Sequence, residues 1–205
     1  MSAANEYNYL KGWCKGSGLM HATKALAFIQ RHHAGQERND GSPYYAHPVK
    51  VAQHLASLEL FTDKEILDTL LTSALLHDIL EDTSVTHDVI VNEFSGDIAE
   101  VVRLLTKTKD LSNEDYYKAI RGNLLASLVK IADRCHNVST MLGVFSKARL
   151  VKYIKETNEL VRPLARHIRD YYPEVSNKVT VINFHIKTAV TMAEIFVQHA
   201  KDDEA

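Results

Sequence analysis

Only four prolines and eight glycines interrupt the 205 residues of this chain, and between them apolar side chains return at steps of three and four. That spacing gathers them on one face of an α-helix, whereas a half-buried strand would alternate. No stretch shows strand-like alternation of useful length, so the chain is expected to be all-α. The spacing predicts helices over residues 20–35 (Ala22, Ala25, Ile29), 48–60 (Val51, Leu55, Leu58) and 63–80 (Ile66, Leu67, Leu70, Leu71, Ala74, Leu75). Residues 86–94 and 96–106 read as two short helices split near Ser95-Gly96, and 113–137 as one broken helix or two consecutive ones. Residues 147–170 and 174–199 read as two long helices separated at Tyr172-Pro173, because proline disfavours helical geometry in the residue before it. Asp63, Thr86 and Asp88 suit helix starts. The sum is a bundle of about eight to eleven helices. Residues 36–46 form the one conspicuous polar loop, and Met1–Asn5 and Lys201–Ala205 are expected to fray.

The last helix places apolar residues at 175, 179, 182, 186, 189, 193 and 196, a short coiled-coil-like seam. Packing on the body of the same bundle is the preferred reading, with a homodimer through this seam as the second. A chain of this length supports one substantial core and is short for two, so residues 1–205 are expected to be a single domain.

The formal net charge is −2, and no polybasic run is present. Neither nucleic acid nor a membrane surface is therefore expected as a partner. No apolar run is long enough to span a bilayer, and no basic region precedes an apolar stretch at the N-terminus, so no signal peptide is expected. Cys14 and Cys135 form no CxxC pair, which suits a reducing cytoplasm. Histidine, with 11 copies, is the count that stands out.

The chemistry concentrates in Ala74-Leu75-Leu76-His77-Asp78-Ile79-Leu80-Glu81-Asp82-Thr83. Three acids and a histidine follow an apolar run, where charge is costly unless a metal ion or other partner meets it. Read as one helix, His77 and Glu81 share a face, as do Asp78 and Asp82, one turn apart. Further ligands must come from elsewhere. His47 stands where the polar loop meets Pro48 and a helix start. Asp133 is an acid on a helix otherwise carrying Leu125, Leu128, Val129 and Ala132. Each residue alone is more simply a capping, surface or ion-paired group. The order H…HD…D with helical flanks at all three places favours a metal site. Two histidines and two aspartates without a thiolate suit Mn²⁺, Fe²⁺ or a similar ion rather than structural zinc.

Three segments resemble the hydrolase domain of the RelA/SpoT family, a branch of the HD-domain phosphohydrolases. They are His33-Ala34-Gly35-Gln36-Glu37-Arg38 through Gly41-Ser42-Pro43-Tyr44 and His47-Pro48, then Ala74–Thr83, then Val129-Lys130-Ile131-Ala132-Asp133-Arg134-Cys135-His136-Asn137. Phe94-Ser95-Gly96-Asp97-Ile98 and Leu105-Thr106-Lys107 match as well, and the resemblance covers about residues 20–170. It implies an all-α HD-domain bundle that removes the 3′-pyrophosphate of guanosine tetra- and pentaphosphate with Mn²⁺. It implies His47, His77, Asp78 and Asp133 as metal ligands, and Glu81 and Asp82 as the acidic pair that handles the nucleophilic water. Arg38 would pack against the base, and Asn137 and Thr140 would contact the nucleotide. The bifunctional members carry a synthetase domain after the hydrolase, and at this length a small stand-alone hydrolase is expected.

The chain departs from the family pattern in its nucleotide pocket. Where the family has Arg-Lys-Ser-Gly, Arg38-Asn39-Asp40-Gly41 loses a cation and gains an acid. Val138-Ser139-Thr140 stands in place of Met-Arg-Thr, and Val161 in place of a tyrosine. Lys107, Lys109, Lys130 and Arg134 are candidates to replace the missing charge. Two further readings follow. One is an HD-domain nucleotidase or phosphodiesterase acting on another nucleotide, such as an adenine alarmone. The other is a non-catalytic alarmone-binding module, against which the Glu81-Asp82 pair counts.

Overall fold

The computed structural model describes residues 2–199, and among them the regular structure is helical. The one β-type contact there is an isolated bridge between Glu37 and Pro43. The chain separates into two compact units, and the boundary falls between Val129 and Lys130. Among the described residues, no helix is long and apolar enough to cross a membrane.

The first unit begins with α1 (Ala3–Ser17), a helix that the sequence reading had not predicted. Ser2 caps it, its side chain accepting from the Asn5 amide, so the expected fraying does not extend over Ala3–Asn5. Gly18 ends it at φ 75°, a left-handed conformation that glycine adopts without a Cβ clash. Tyr7, Leu10 and Cys14, at steps of three and four, form its buried stripe. Next come α2 (Met20–His32), α3 (Ala46–Ser57) and α4 (Lys64–Leu76). Helix α4 is the axis of the unit and packs against both α2 and α3. Every residue from Leu70 to Leu76 is buried, Thr72 and Ser73 included.

Helix α2 lacks a side-chain cap of its own, since Leu19 occupies the N-cap. Asp68 of α4 supplies it: the carboxylate accepts from the His21 and Ala22 amides at 2.9 and 2.8 Å. Two of the four orphan N–H groups of α2 are thus satisfied by a neighbouring helix.

The helix expected over 63–80 is broken. Helix α4 ends at Leu76, His77 and Asp78 form a turn, and a four-residue helix α5 (Ile79–Asp82) follows. His77 and Glu81, and likewise Asp78 and Asp82, therefore do not lie along one continuous helix. Helices α6 (His87–Glu93), α7 (Gly96–Leu105) and α8 (Asn113–Arg121) complete this part, with Thr86, Ser95 and Ser112 as side-chain N-caps. The segment 113–137 resolves into two consecutive helices, α8 and α9 (Leu124–Thr140), and the unit boundary lies inside α9.

The second unit contains the rest of α9, then α10 (Lys147–Glu156), a π-helical turn (Thr157–Val161) and α11 (Arg162–Tyr171) in one run, and finally α12 (Pro173–His199). Within this unit α12 packs on α10 and α11. Its buried positions are Val175, Val179, Ile182, Ile186, Val190 and Ala193. The register steps from the expected Ala189 to Val190, and Phe196 is 47% exposed. The expected fraying of Lys201–Ala205 lies outside the described residues.

Candidate metal centre

The break at His77-Asp78 builds the site. Once α4 ends, its last carbonyls need partners, and the His77 ring takes one: its Nδ1 lies 2.8 Å from the Ala74 carbonyl oxygen. A carbonyl can only accept, so Nδ1 carries the proton and Nε2 presents a lone pair. His77 and His47 are 3% and 2% exposed. Their rings meet edge to face at 5.1 Å. The Oδ2 atom of Asp78 lies 3.0 Å from His77 Nε2 and 3.7 Å from His47 Nε2. One ligand atom from each of the three residues fits within a mutual distance of 4.8 Å. Two imidazoles and a carboxylate, with one tautomer already fixed by a backbone carbonyl, form a donor set that fits a divalent ion.

A phenol completes the cluster. Tyr44 donates to the same Asp78 Oδ2 at 2.7 Å. Burial, then the carboxylates of Asp78 and Asp82, drive the Tyr44 pKa far above its ordinary value, so the hydroxyl stays a donor. Its backbone amide donates to the Gln36 carbonyl at 2.9 Å. The His33 ring is stacked on it at 4.7 Å, and His33 Nδ1 lies 2.7 Å from Gln36 Oε1. The Gln36 amide in turn donates to the Asp82 carbonyl at 2.7 Å. Sequence reasoning gave these three residues no role. A signal existed for Tyr44: it stands three residues before His47, close to one helical turn.

The expected acidic pair divides its partners. Glu81 accepts from the Lys107 backbone amide, whereas the Asp82 side chain meets the Tyr44 hydroxyl. Both are exposed.

The polar loop is ordered by its own acids and turns. Arg38 and Ser42 are paired through an amide-to-carbonyl bond of 2.9 Å, and Gly41 sits at φ 78°. Asp40, which stands where the family has a basic residue's neighbour, accepts from the Ser42 amide and hydroxyl at 3.0 and 2.6 Å. Those bonds hold its carboxyl below the usual range, and the charge is spent on the turn. Arg38 is half-buried at the base of this turn.

In the second unit, Asp133 is 6% exposed. It accepts from Lys130 Nζ at 3.1 Å and from Asn137 Nδ2 at 2.6 Å. Asn137 thus reaches back one turn along α9, and Thr140, exposed at the helix end, bonds the His136 carbonyl. Of the cations considered as replacements, Arg134 is committed elsewhere. It is 3% exposed, donates to Thr157 Oγ1 at 3.0 Å and to Glu156, and stacks on Tyr153. Lys130 pairs with Asp133, and Lys107 Nζ meets Asn113. Lys109 is exposed.

Comparison with known proteins agrees with this architecture. The chain is 37% identical over 153 residues to a guanosine-3′,5′-bis(diphosphate) 3′-pyrophosphohydrolase of Aquifex aeolicus, covering 71% of this chain and 21% of that protein. It is 35% identical over 147 residues to the Haemophilus influenzae protein of the same name, covering 66% and 21%. A GTP pyrophosphokinase of Brucella ovis is 36% identical over 153 residues, covering 69% and 20%. The chain therefore spans about a fifth of the length of these relatives. A solved structure described as a metazoan orthologue of SpoT that hydrolyses ppGpp superposes with a TM-score of 0.57 at 23% identity, covering 88% of this chain and 96% of that one, which establishes a shared fold. The HD-domain profile matches residues 25–168, well over half of the sequence and inclusive of His47, the His77-Asp78 turn and Asp133: the chain belongs to the HD-domain family.

Proposed function

We propose that this chain is a Mn²⁺-dependent hydrolase of guanosine 3′,5′-bis(diphosphate) and its pentaphosphate, releasing pyrophosphate and leaving GDP or GTP. The observation that carries the reading is the convergence of His47, His77 and Asp78 with ligand atoms within 4.8 Å of one another. The named relatives support the substrate class. Asp133 is the fourth ligand on the resemblance of its own segment, and the hard-to-borderline N/O donor set suits Mn²⁺. The reading is of a single hydrolase domain in the cytoplasm, with a free nucleotide as substrate. Its two buried free thiols suit a reducing compartment.

When bound, the ion supplies a water acidified toward neutral pH and a positive charge for the 3′-pyrophosphate. The chain supplies the rest. The water oxygen forms a bond to the phosphorus nearest the ribose, and the bond from that phosphorus to the 3′-oxygen breaks. The 3′-oxygen leaves as a hydroxyl, taking up a proton from solvent that balances the one the attacking water gives up. Asp82 or Glu81 accepts the water's proton at a carboxylate oxygen. Arg38 stacks on the purine, as a planar guanidinium can, and Asn137 and Thr140 contact the nucleotide.

A second reading changes the base. Asp40 takes part in the loop turn that would face the nucleotide, and no lysine follows Arg38, so an adenine alarmone or another phosphorylated nucleotide is the alternative substrate. The experiment is a panel of guanine and adenine 3′-pyrophosphorylated nucleotides with Mn²⁺ and the purified chain, its products separated by chromatography. Pyrophosphate from the guanine substrates supports the first reading. Turnover of adenine substrates alone, or release of inorganic phosphate, supports the second. Tight nucleotide binding without turnover across divalent ions would make the chain a binding module.

A further inference from the structure

We propose that Tyr44 is a positioning residue for the metal centre: clamped by His33 and Gln36, its hydroxyl holds Oδ2 of Asp78 in ligand geometry. The proposal rests on the reading of His47, His77 and Asp78 as metal ligands. A carboxylate on a short turn can rotate about χ1 and χ2, and a rotating ligand must be ordered when the ion arrives. Here Oδ2 already lies near both imidazole Nε2 atoms, and the phenol donates to that same oxygen at 2.7 Å. A donor on a ligating carboxylate fixes its orientation and tunes its basicity.

The clamp gives Tyr44 its rigidity. Its ring is stacked on His33, which is 2% exposed. Gln36 donates through Nε2 to the Asp82 carbonyl, so its Oε1 faces His33 Nδ1 as an acceptor. That fixes the protonated nitrogen of His33 as Nδ1 and leaves Nε2 buried with no hydrogen-bond partner. A phenylalanine would stack on Tyr44 equally well without burying a bare nitrogen. What the imidazole adds is the bond to Gln36, which ties the Tyr44 loop to the turn that carries Asp82. The amide of Tyr44 closes the same circuit on the Gln36 carbonyl. The loop and the first turn of α3 that follows it thus deliver a ligand, His47, and the group that orients a second ligand, Asp78.

The test is Mn²⁺ titration of metal-free protein by calorimetry, with wild type, Tyr44→Phe, His33→Phe, the double variant and Asp78→Ala. Thermal melting of each metal-free protein is measured alongside. Tyr44→Phe keeps the ring and removes one hydroxyl, so the metal-free melting temperature is expected to stay near wild type. Its Mn²⁺ affinity is expected to fall by about 10- to 100-fold, the range for loss of an outer partner of a ligand. His33→Phe is expected to weaken Mn²⁺ binding less, and to add nothing once Tyr44 is phenylalanine, because it acts through Tyr44. Wild-type Mn²⁺ affinity in Tyr44→Phe, with Asp78→Ala still impaired, overturns the proposal and leaves the metal site standing. Equal binding by wild type and Asp78→Ala overturns both.

Discussion

His77 stands immediately past the end of α4, and its Nδ1–H donates to the carbonyl of Ala74 three residues back at 2.8 Å. One bond satisfies an orphan helix carbonyl, fixes the imidazole tautomer and aims Nε2 at Asp78. Stopping the helix here is therefore what orients the proposed ligand. His77→Ala and His47→Ala are each expected to reduce bound divalent metal well below one equivalent. Elemental analysis of protein purified with Mn²⁺ reads this directly, and full stoichiometry in both variants would remove the ligand assignment.

Glu81 and Asp82 differ in what they touch, and that separates their variants. Glu81 accepts from the Lys107 amide, a bond that the carbonyl of a glutamine can also accept. Glu81→Gln should therefore fold and retain its metal while losing the ability to take a proton. We expect hydrolysis of guanosine tetraphosphate to slow by about 10²- to 10⁴-fold, the usual range for a general base. Single-turnover rates at saturating Mn²⁺ are the measurement, and an unchanged rate would transfer the base role to Asp82.

Much of this site is legible in the sequence, and the part that is not has physical causes. His47, His77 and Asp78 follow from residue type and order, and they come together as expected. The break after Leu76 was hidden because Leu70–Leu76 and Ile79 keep apolar spacing across it. It is a side-chain bond from His77, not a glycine or proline, that takes the place of the next helical turn. Helix α1 was missed because its buried stripe is only Tyr7, Leu10 and Cys14, amid polar and glycine residues. Arg134 read as an available cation, and only packing shows it enclosed by Tyr153, Glu156 and Thr157. Tyr44 carries no charge to mark it, so its bond to Asp78 is visible only in three dimensions.

Asp68 offers a test of fold without chemistry. It caps α2 from α4 through two backbone amides and makes no contact with the ligand residues among the bonds described above. Asp68→Ala is expected to destabilise the protein by about 1–2 kcal/mol, the cost of losing an N-cap. Chemical denaturation should show a lower midpoint at unchanged slope, with Mn²⁺ stoichiometry intact. A midpoint equal to wild type would mean that water replaces the carboxylate at no cost.

Buried thiols and a half-buried phenol set an alkaline limit. Burial pushes Cys14 up to about 12, with the Asp68 charge adding to the shift, and pushes Cys135 up to about 11. Burial also raises Tyr153 to about 12. In each case the folded chain keeps a proton that the unfolded chain releases. Stability is then fully present below the unfolded pKa, about 9 for the thiols, and declines as pH rises through the folded values. The urea midpoint is expected to fall between pH 8 and pH 10.5, and Cys14→Ala should show a shallower decline. Cys14, fully enclosed, should also resist alkylation at pH 8 until denaturant is added. Rapid labelling of Cys14 in the native protein would contradict both expectations.

Arg134 distinguishes a structural cation from a phosphate ligand. Its guanidinium lies 4.0 Å from the Tyr153 ring centroid and donates to Thr157 and Glu156, at the start of the π-helical turn. A lysine cannot reproduce both the stacking and the forked donors. Removing the arginine outright takes a charge-assisted bond from the half-buried Glu156 carboxylate and empties a packed site, a loss of about 1–3 kcal/mol. Arg134→Ala is expected to lose stability on that scale, and Arg134→Lys to recover only part of it. With the fold held by low temperature, the KM of Arg134→Lys for guanosine tetraphosphate should stay within about threefold of wild type, a change of under 1 kcal/mol in binding. A variant with wild-type melting temperature and a KM raised tenfold or more would place Arg134 on the phosphates instead.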